Sequence, residues 1–217
     1  MSYADFAANP SPKYLRFDEI KLSCLGGSGF QSIREVCSSL QKFAQLFAQK
    51  LNGKGAKLKF IGDIKQTHLT ETDFSDHLML VNYLENELLP NFSCCRAYEF
   101  LVAFYSNEDA SANFISSLLK MKPIVCCSDV TLTIFIMDDT HPTELPVEAI
   151  IKWLGQSCEA VTGSANGSKK KEKFLQIKMR NIQNCVEMSD RLTEVLIIFN
   201  RYNVNMYDIK CTGVRLI

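Results

Sequence analysis

The sequence predicts an α/β protein built as an irregular repeat of helix–strand units. These units form a mainly parallel sheet with helices chiefly on one face. Three observations carry this. First, a phrase recurs: Pro90-Asn-Phe-Ser-Cys94-Cys95-Arg-Ala-Tyr98-Glu-Phe100 is followed by Pro123-Ile-Val-Cys126-Cys127-Ser-Asp-Val130-Thr-Leu132, its Cys-Cys pair 32 residues on. Repeats of about 20–50 residues signal stacked supersecondary units. Second, strand-like and helix-like segments alternate along the chain, which favours parallel pairing through right-handed crossovers. Third, the strands are apolar on one face and polar on the other, whereas parallel strands covered on both faces read as continuous apolar runs. A curved sheet with helices on one side satisfies all three, so the expected architecture is a short leucine-rich-repeat-like solenoid.

Taken in order, residues 1–13 read as a polar N-terminal lead with Pro10 and Pro12, and residues 14–217 as a single αβ-repeat domain. Tyr14 to Leu22 reads as a strand. Phe30 to Leu51 has apolar residues at helical spacing, opens with a Ser28-x-x-Gln31 capping pattern and stops at Asn52-Gly53. A strand at Lys57 to Ile61 and a helix at Phe74 to Leu89, closed by Pro90, come next. Tyr98 to Tyr105 is a strand, Ala110 to Met121 a helix stopped at Pro123, and Val130 to Met137 a strand. Pro146 to Leu154 reads as a helix with proline in its first turn and Gly155 after it. Residues 155–171 form a Gly/Ser/Lys-rich insert of flexible composition. The expected closing elements are a strand at Phe174 to Arg180, a helix at Cys185 to Asn200 with a cap-like Asn184-x-x-Glu187, and a strand at Met206 to Val214.

Composition narrows the function classes. The 217 residues carry 24 basic and 24 acidic side chains, so the net charge is zero, which argues against a general nucleic-acid binder. No apolar run is long enough to predict a transmembrane helix. The opening Met1-Ser-Tyr-Ala-Asp-Phe lacks the basic and apolar regions of a signal peptide. A cytoplasmic or nuclear location with reduced thiols is therefore expected.

Catalytic chemistry finds little purchase. Gly26-Gly27-Ser28-Gly29 lies between a strand and a helix, where backbone amides could cradle phosphate, and it defines the alternative reading of a doubly wound nucleotide-binding enzyme. The strand before it is heavily charged, however, and no acidic strand-end residue follows at about 20 residues. Adjacent cysteines suit a tetrahedral zinc ion poorly, so Cys94-Cys95 and Cys126-Cys127 predict no metal site, and one thiol of each pair is expected to fill core. His68, His77 and His141 are scattered, Asp138-Asp139 reads as a turn, and Lys169-Lys170-Lys171-Glu172-Lys173 reads as a solvated loop edge. No catalytic residue and no cofactor is predicted. The expected binding surface is the polar face of the sheet, with an apolar centre at Leu101, Ala103, Tyr105, Phe135 and Met137. Its contact residues would be Leu101, Tyr105, Thr133, Phe135, Gln176, Lys178 and Arg180.

One stretch carries a resemblance. Leu145-Pro-Val-Glu-Ala-Ile-Ile-Lys-Trp-Leu154, Lys173-Phe-Leu-Gln-Ile and Asn181-Ile-Gln-Asn-Cys-Val-Glu-Met-Ser-Asp190, with Pro12-Lys-Tyr-Leu-Arg-Phe-Asp-Glu-Ile-Lys earlier, resemble the C-terminal region of nematode F-box-associated proteins. The resemblance covers roughly residues 12–217 and rests on loose αβ-repeat phrases. It implies a non-enzymatic substrate-recognition module of a ubiquitin ligase, with an unknown protein target. The dozen or so residues before the first strand are too few for an F-box, so a Skp1-type adaptor is implied only if an F-box is supplied elsewhere.

Overall fold

The structure, a computed structural model, describes residues 18–24, 41, 45, 56–63, 80–93, 95–104, 110–136, 143–156, 173–180, 182–192, 195–199 and 206–212. Its centre is a seven-stranded sheet. The strands are β1 (Glu19–Cys24), β2 (Lys57–Asp63), β3 (Ala97–Phe104), β4 (Asp129–Ile136), β5 (Phe174–Arg180), β6 (Val195–Phe199) and β7 (Met206–Thr212). Their order across the sheet is β1-β2-β3-β4-β5-β7-β6. The first five are parallel and pair with their sequence neighbours. β7 runs antiparallel to both β5 and β6.

The repeated phrase becomes the pairing register. Tyr98 pairs with Val130, Phe100 with Leu132 and Phe104 with Ile136, each partner 32 residues further on. Cys95 and Cys127 occupy equivalent turns before β3 and β4, and both are buried in the core. The Cys127 sulfur lies 3.2 Å from the carbonyl oxygens of Arg96 and Asp129 and accepts from the Asp129 amide at 3.4 Å. It therefore serves as a small apolar side chain that also ties two neighbouring turns together. Cys126 faces outward.

Helical segments fill the crossovers. Gln41 and Gln45 are helical, within the stretch expected to form the first helix. Residues 80–83 are helical and continue into a π-helical turn, Leu84–Leu88, and a 3-10 turn, Leu89–Phe92. Pro90 does not end this segment; it sits in the first turn of the 3-10 part, where its missing N–H costs nothing. After β3 comes α1 (Ala110–Leu118), and then a one-turn helix, α2 (Lys122–Val125). Pro123 starts α2 rather than merely stopping α1, as a first-turn proline does. α3 is Val147–Gly155 and α4 is Cys185–Arg191.

The last region departs from expectation. The stretch read as one helix to Asn200 is helical only to Arg191, and β6 follows. Val195-Leu-Ile-Ile-Phe199 is three-fifths β-branched, which suits a strand better than a helix. Asn184 does sit at the N-cap of α4, but its side chain makes no capping bond. Its amide instead donates to the Leu145 carbonyl at 2.9 Å, and its carbonyl oxygen accepts from the Leu145 amide at 2.8 Å. Together with the Thr143–Ile182 bridge, this fastens the segment before α3 to the one before α4.

Among the described residues one contiguous core joins the sheet to the helices. On the strands it takes Ile20 and Leu22, Leu58 and Phe60, Tyr98, Phe100 and Val102, Val130, Leu132 and Ile134, Leu175, Ile177 and Met179, and Ile209 and Cys211. These positions share one face by period-two alternation. Against them lie Leu84, Leu88 and Phe92, Phe114 and Leu118 of α1, Ile124 of α2, Ile150 and Trp153 of α3, and Met188 of α4. Tyr98 donates its hydroxyl to the Phe92 carbonyl at 2.7 Å, and the Trp153 indole N–H donates to the Ile124 carbonyl at 2.9 Å. Burying their aromatic bodies therefore strands no polar tip.

Lys173 corrects the solvated-edge expectation. It is 4% exposed. Its ammonium donates to the carbonyls of Val125 at 2.8 Å and Trp153 at 2.9 Å, and stands 4.3 Å from the centre of the Trp153 ring. Val125 ends α2 and Trp153 lies in the last turn of α3, so the cation meets the negative ends of two helices at once.

Candidate interaction surface

The opposite face of the sheet is assembled by the same alternation and the same register. One row across it reads Glu19, Lys57, Ala97. The next reads Lys21, Lys59, Glu99, Thr131, Gln176. The third reads Ser23, Ile61, Leu101, Thr133, Lys178. Ile61 and Ala97 are buried, yet neither belongs to the core cluster on the other side.

At the β2–β3 end the rows are held by charge. Glu99 lies between Lys57 and Lys59, in contact with the first and 2.7 Å from the second. Partial burial works to raise the Glu99 carboxyl, but the two ammonium groups outweigh it and hold the carboxyl below its ordinary range. The hydrogen bond to Glu99 in turn pushes the Lys59 ammonium above its ordinary value. Such partly exposed pairs fix side-chain positions more than they stabilise the fold.

The sequence-predicted contact residues distribute unevenly. Leu101, Thr133 and Lys178 are neighbours in one row, on β3, β4 and β5. Gln176 pairs with Thr131 in the adjoining row. Leu101, Phe135, Gln176 and Lys178 are half-buried. Thr133 is 9% exposed, the most sheltered of the set. Phe135 pairs with Ala103 one row further on, and Arg180 lies at the end of β5. Tyr105 and Met137 lie outside the described residues, as do Gly26, Gly27, Ser28 and Gly29 of the alternative site. Sequence reading missed Ile61, which stands beside Leu101 and extends the apolar centre onto β2. The alternation of Lys57-Leu-Lys-Phe-Ile61 points its lysines to this face, and that was the available signal.

Among the described residues, no three His, Cys, Asp or Glu side chains cluster as metal ligands. Burial raises the thiol of Cys185 and pushes that of Cys211 up to about 12. Among the described residues, no helix is long and apolar enough to cross a membrane. Comparison of the chain with protein-family models, with curated proteins and with solved structures gave no match.

Proposed function

We propose that this chain is a non-enzymatic protein-interaction domain that binds a protein target on the sheet face carrying Leu101, Phe135, Gln176 and Lys178. The carrying observation is the contrast within single strands. Every described core-facing residue of β2 to β5 is apolar, while the opposite face mixes half-exposed Lys, Glu, Thr and Gln around Ile61, Leu101 and Phe135. An apolar centre within a polar surround is the composition of a protein-binding hot spot.

Topology supports the same reading. The five parallel strands advance across the sheet without reversing. With crossovers of constant hand, such an order sends every connection over the same face, as in αβ solenoids, and leaves the other for a partner. A doubly wound nucleotide enzyme reverses strand order and binds at the reversal, so a site at Gly26–Gly29 draws no support from these five strands. The resemblance to F-box-associated proteins adds the expectation of a ubiquitin-ligase target. In that reading the domain chooses the substrate in the cytoplasm or nucleus, and a Skp1-type adaptor joins only through an F-box supplied elsewhere.

Affinity purification with the wild-type chain, beside Leu101→Asp and Phe135→Ser, tests the reading. Partners retained by the wild type should be lost from both variants, while stability changes by less than about 1 kcal/mol. Retention of the same partners by both variants would sink it. So would unfolding of both, which would show that these side chains are core.

A further inference from the structure

A buried lysine is rare, and its ammonium costs free energy unless its N–H groups are satisfied. Lys173 meets that demand through uncharged groups: the Val125 carbonyl at 2.8 Å, the Trp153 carbonyl at 2.9 Å and the Trp153 ring, whose centre is 4.3 Å away. Carbonyl acceptors converging with an indole face are the chemistry by which proteins recognise ammonium ligands.

The groups that receive the ammonium are set in place by contacts of their own. The Trp153 indole N–H donates to the Ile124 carbonyl at 2.9 Å, which fixes the ring against α2. Val125 follows Ile124 and ends α2, while Trp153 lies in the last turn of α3. The Trp153 carbonyl also accepts from the Gln156 amide at 3.2 Å, so one lone pair serves the helix cap and the other the ammonium. Ile124 and Trp153 are 1% exposed or less and belong to the core. Lys173 arrives from 48 residues beyond Val125 and 20 beyond Trp153. Its neighbour Phe174 is anchored separately, donating its amide to the Ser128 carbonyl at 2.7 Å.

We propose that the ends of α2 and α3 form an ammonium-binding seat, and that Lys173 is its tethered ligand, a strap that closes both helices over the head of β5. The ligand class is a primary alkylammonium, a compact cation with three N–H donors. A guanidinium is planar and wider, and a quaternary ammonium has no N–H to give the carbonyls. The strap also fixes where the chain re-enters the sheet after the Gly/Ser/Lys-rich insert.

Thermal unfolding of the full chain tests this. Lys173→Ala removes the strap and leaves the seat empty, whereas Lys173→Met fills the space without a cation. Lys173→Ala should melt below the wild type, and n-butylammonium chloride should raise its Tm along a saturating curve, as a ligand of the folded state does. Should Lys173→Ala not fold alone, n-butylammonium should restore its cooperative transition. Tetramethylammonium chloride and n-butanol at the same concentration should do neither. The wild type and Lys173→Met should not respond to n-butylammonium. Failure of n-butylammonium to act on Lys173→Ala overturns the proposal. An equal response to n-butanol overturns it too, since space rather than charge would then be recognised. So does an equal response from the wild type or Lys173→Met, which would mark a general effect of the salt.

Discussion

The two faces of this sheet are made by the same residues in alternation, yet they obey different rules. On β3, Tyr98, Phe100 and Val102 are each 1% exposed or less, and all enter the core. Between them Glu99 and Leu101 remain half-buried. Side chains on the core face are fixed by volume, because a close-packed interior tolerates neither voids nor excess. On the other face Ile61, Ala97 and Thr133 are sheltered, while Lys57, Lys59, Glu99 and Leu101 are half-buried, the first three placed by charge. The difference teaches where side chains can vary at little cost to the scaffold.

The largest expected effect breaks the comparison most directly. Phe100→Ala should cost about 3–5 kcal/mol in urea unfolding, through lost burial and the cavity left behind. Leu101→Ala, its immediate neighbour on the other face, should cost no more than about 1 kcal/mol. Equal costs would mean that both faces are core.

Lys173 sharpens the comparison next. It is the one charged side chain buried among the described residues. Replacing it by Met preserves most of its volume but leaves the Val125 and Trp153 carbonyls without this donor. A loss of about 2–3 kcal/mol is expected, the range for hydrogen bonds to charged groups. A neutral result would show that the helix ends do not need the cation.

The smallest effect belongs to the polar face. Glu99→Gln should cost less than about 1 kcal/mol at neutral pH, as exposed ion pairs usually do. Because the folded carboxyl lies below its ordinary value of 4.5, its contribution is present above about pH 4.5 and disappears as pH falls through the folded value. The gap between wild type and Glu99→Gln should therefore close on acidification. A gap that widened would contradict the assigned pairing with Lys57 and Lys59.

Much of the scaffold is legible in the sequence, because it rests on local periodicity. The alternation in Phe174-Leu-Gln-Ile-Lys-Met-Arg180 sorted its two faces correctly for Leu175, Ile177 and Met179. The Cys-Cys phrase carried the β3–β4 register itself. What could not be read depended on contacts distant in sequence. Lys173 looked like the end of a solvated basic run because its partners, Val125 and Trp153, lie 48 and 20 residues away. Asn184 had the spacing of a cap, but a tertiary partner at Leu145 claimed its side chain. β6 was obscured because a short apolar run fits a helix and a strand equally well by period alone. Of the proposed binding surface, the row of Leu101, Thr133 and Lys178 was legible from alternation, while the shelter of Thr133 arises only from packing across strands.

The hairpin at the end of the sheet also bears on how the chain folds. Partners in the β3–β4 ladder stand 32 residues apart, and those in the β4–β5 ladder 45. In the β6–β7 ladder they stand as little as eight apart, at Phe199 and Tyr207. Closing a short loop loses less chain entropy and is faster than closing a long one. The C-terminal hairpin can thus form while the parallel ladders are still open, presenting β7 as a ready edge on which β5 docks. On this account the two most C-terminal of the described strands would be the first to pair, and the assembly of these seven strands would run against their order in the chain.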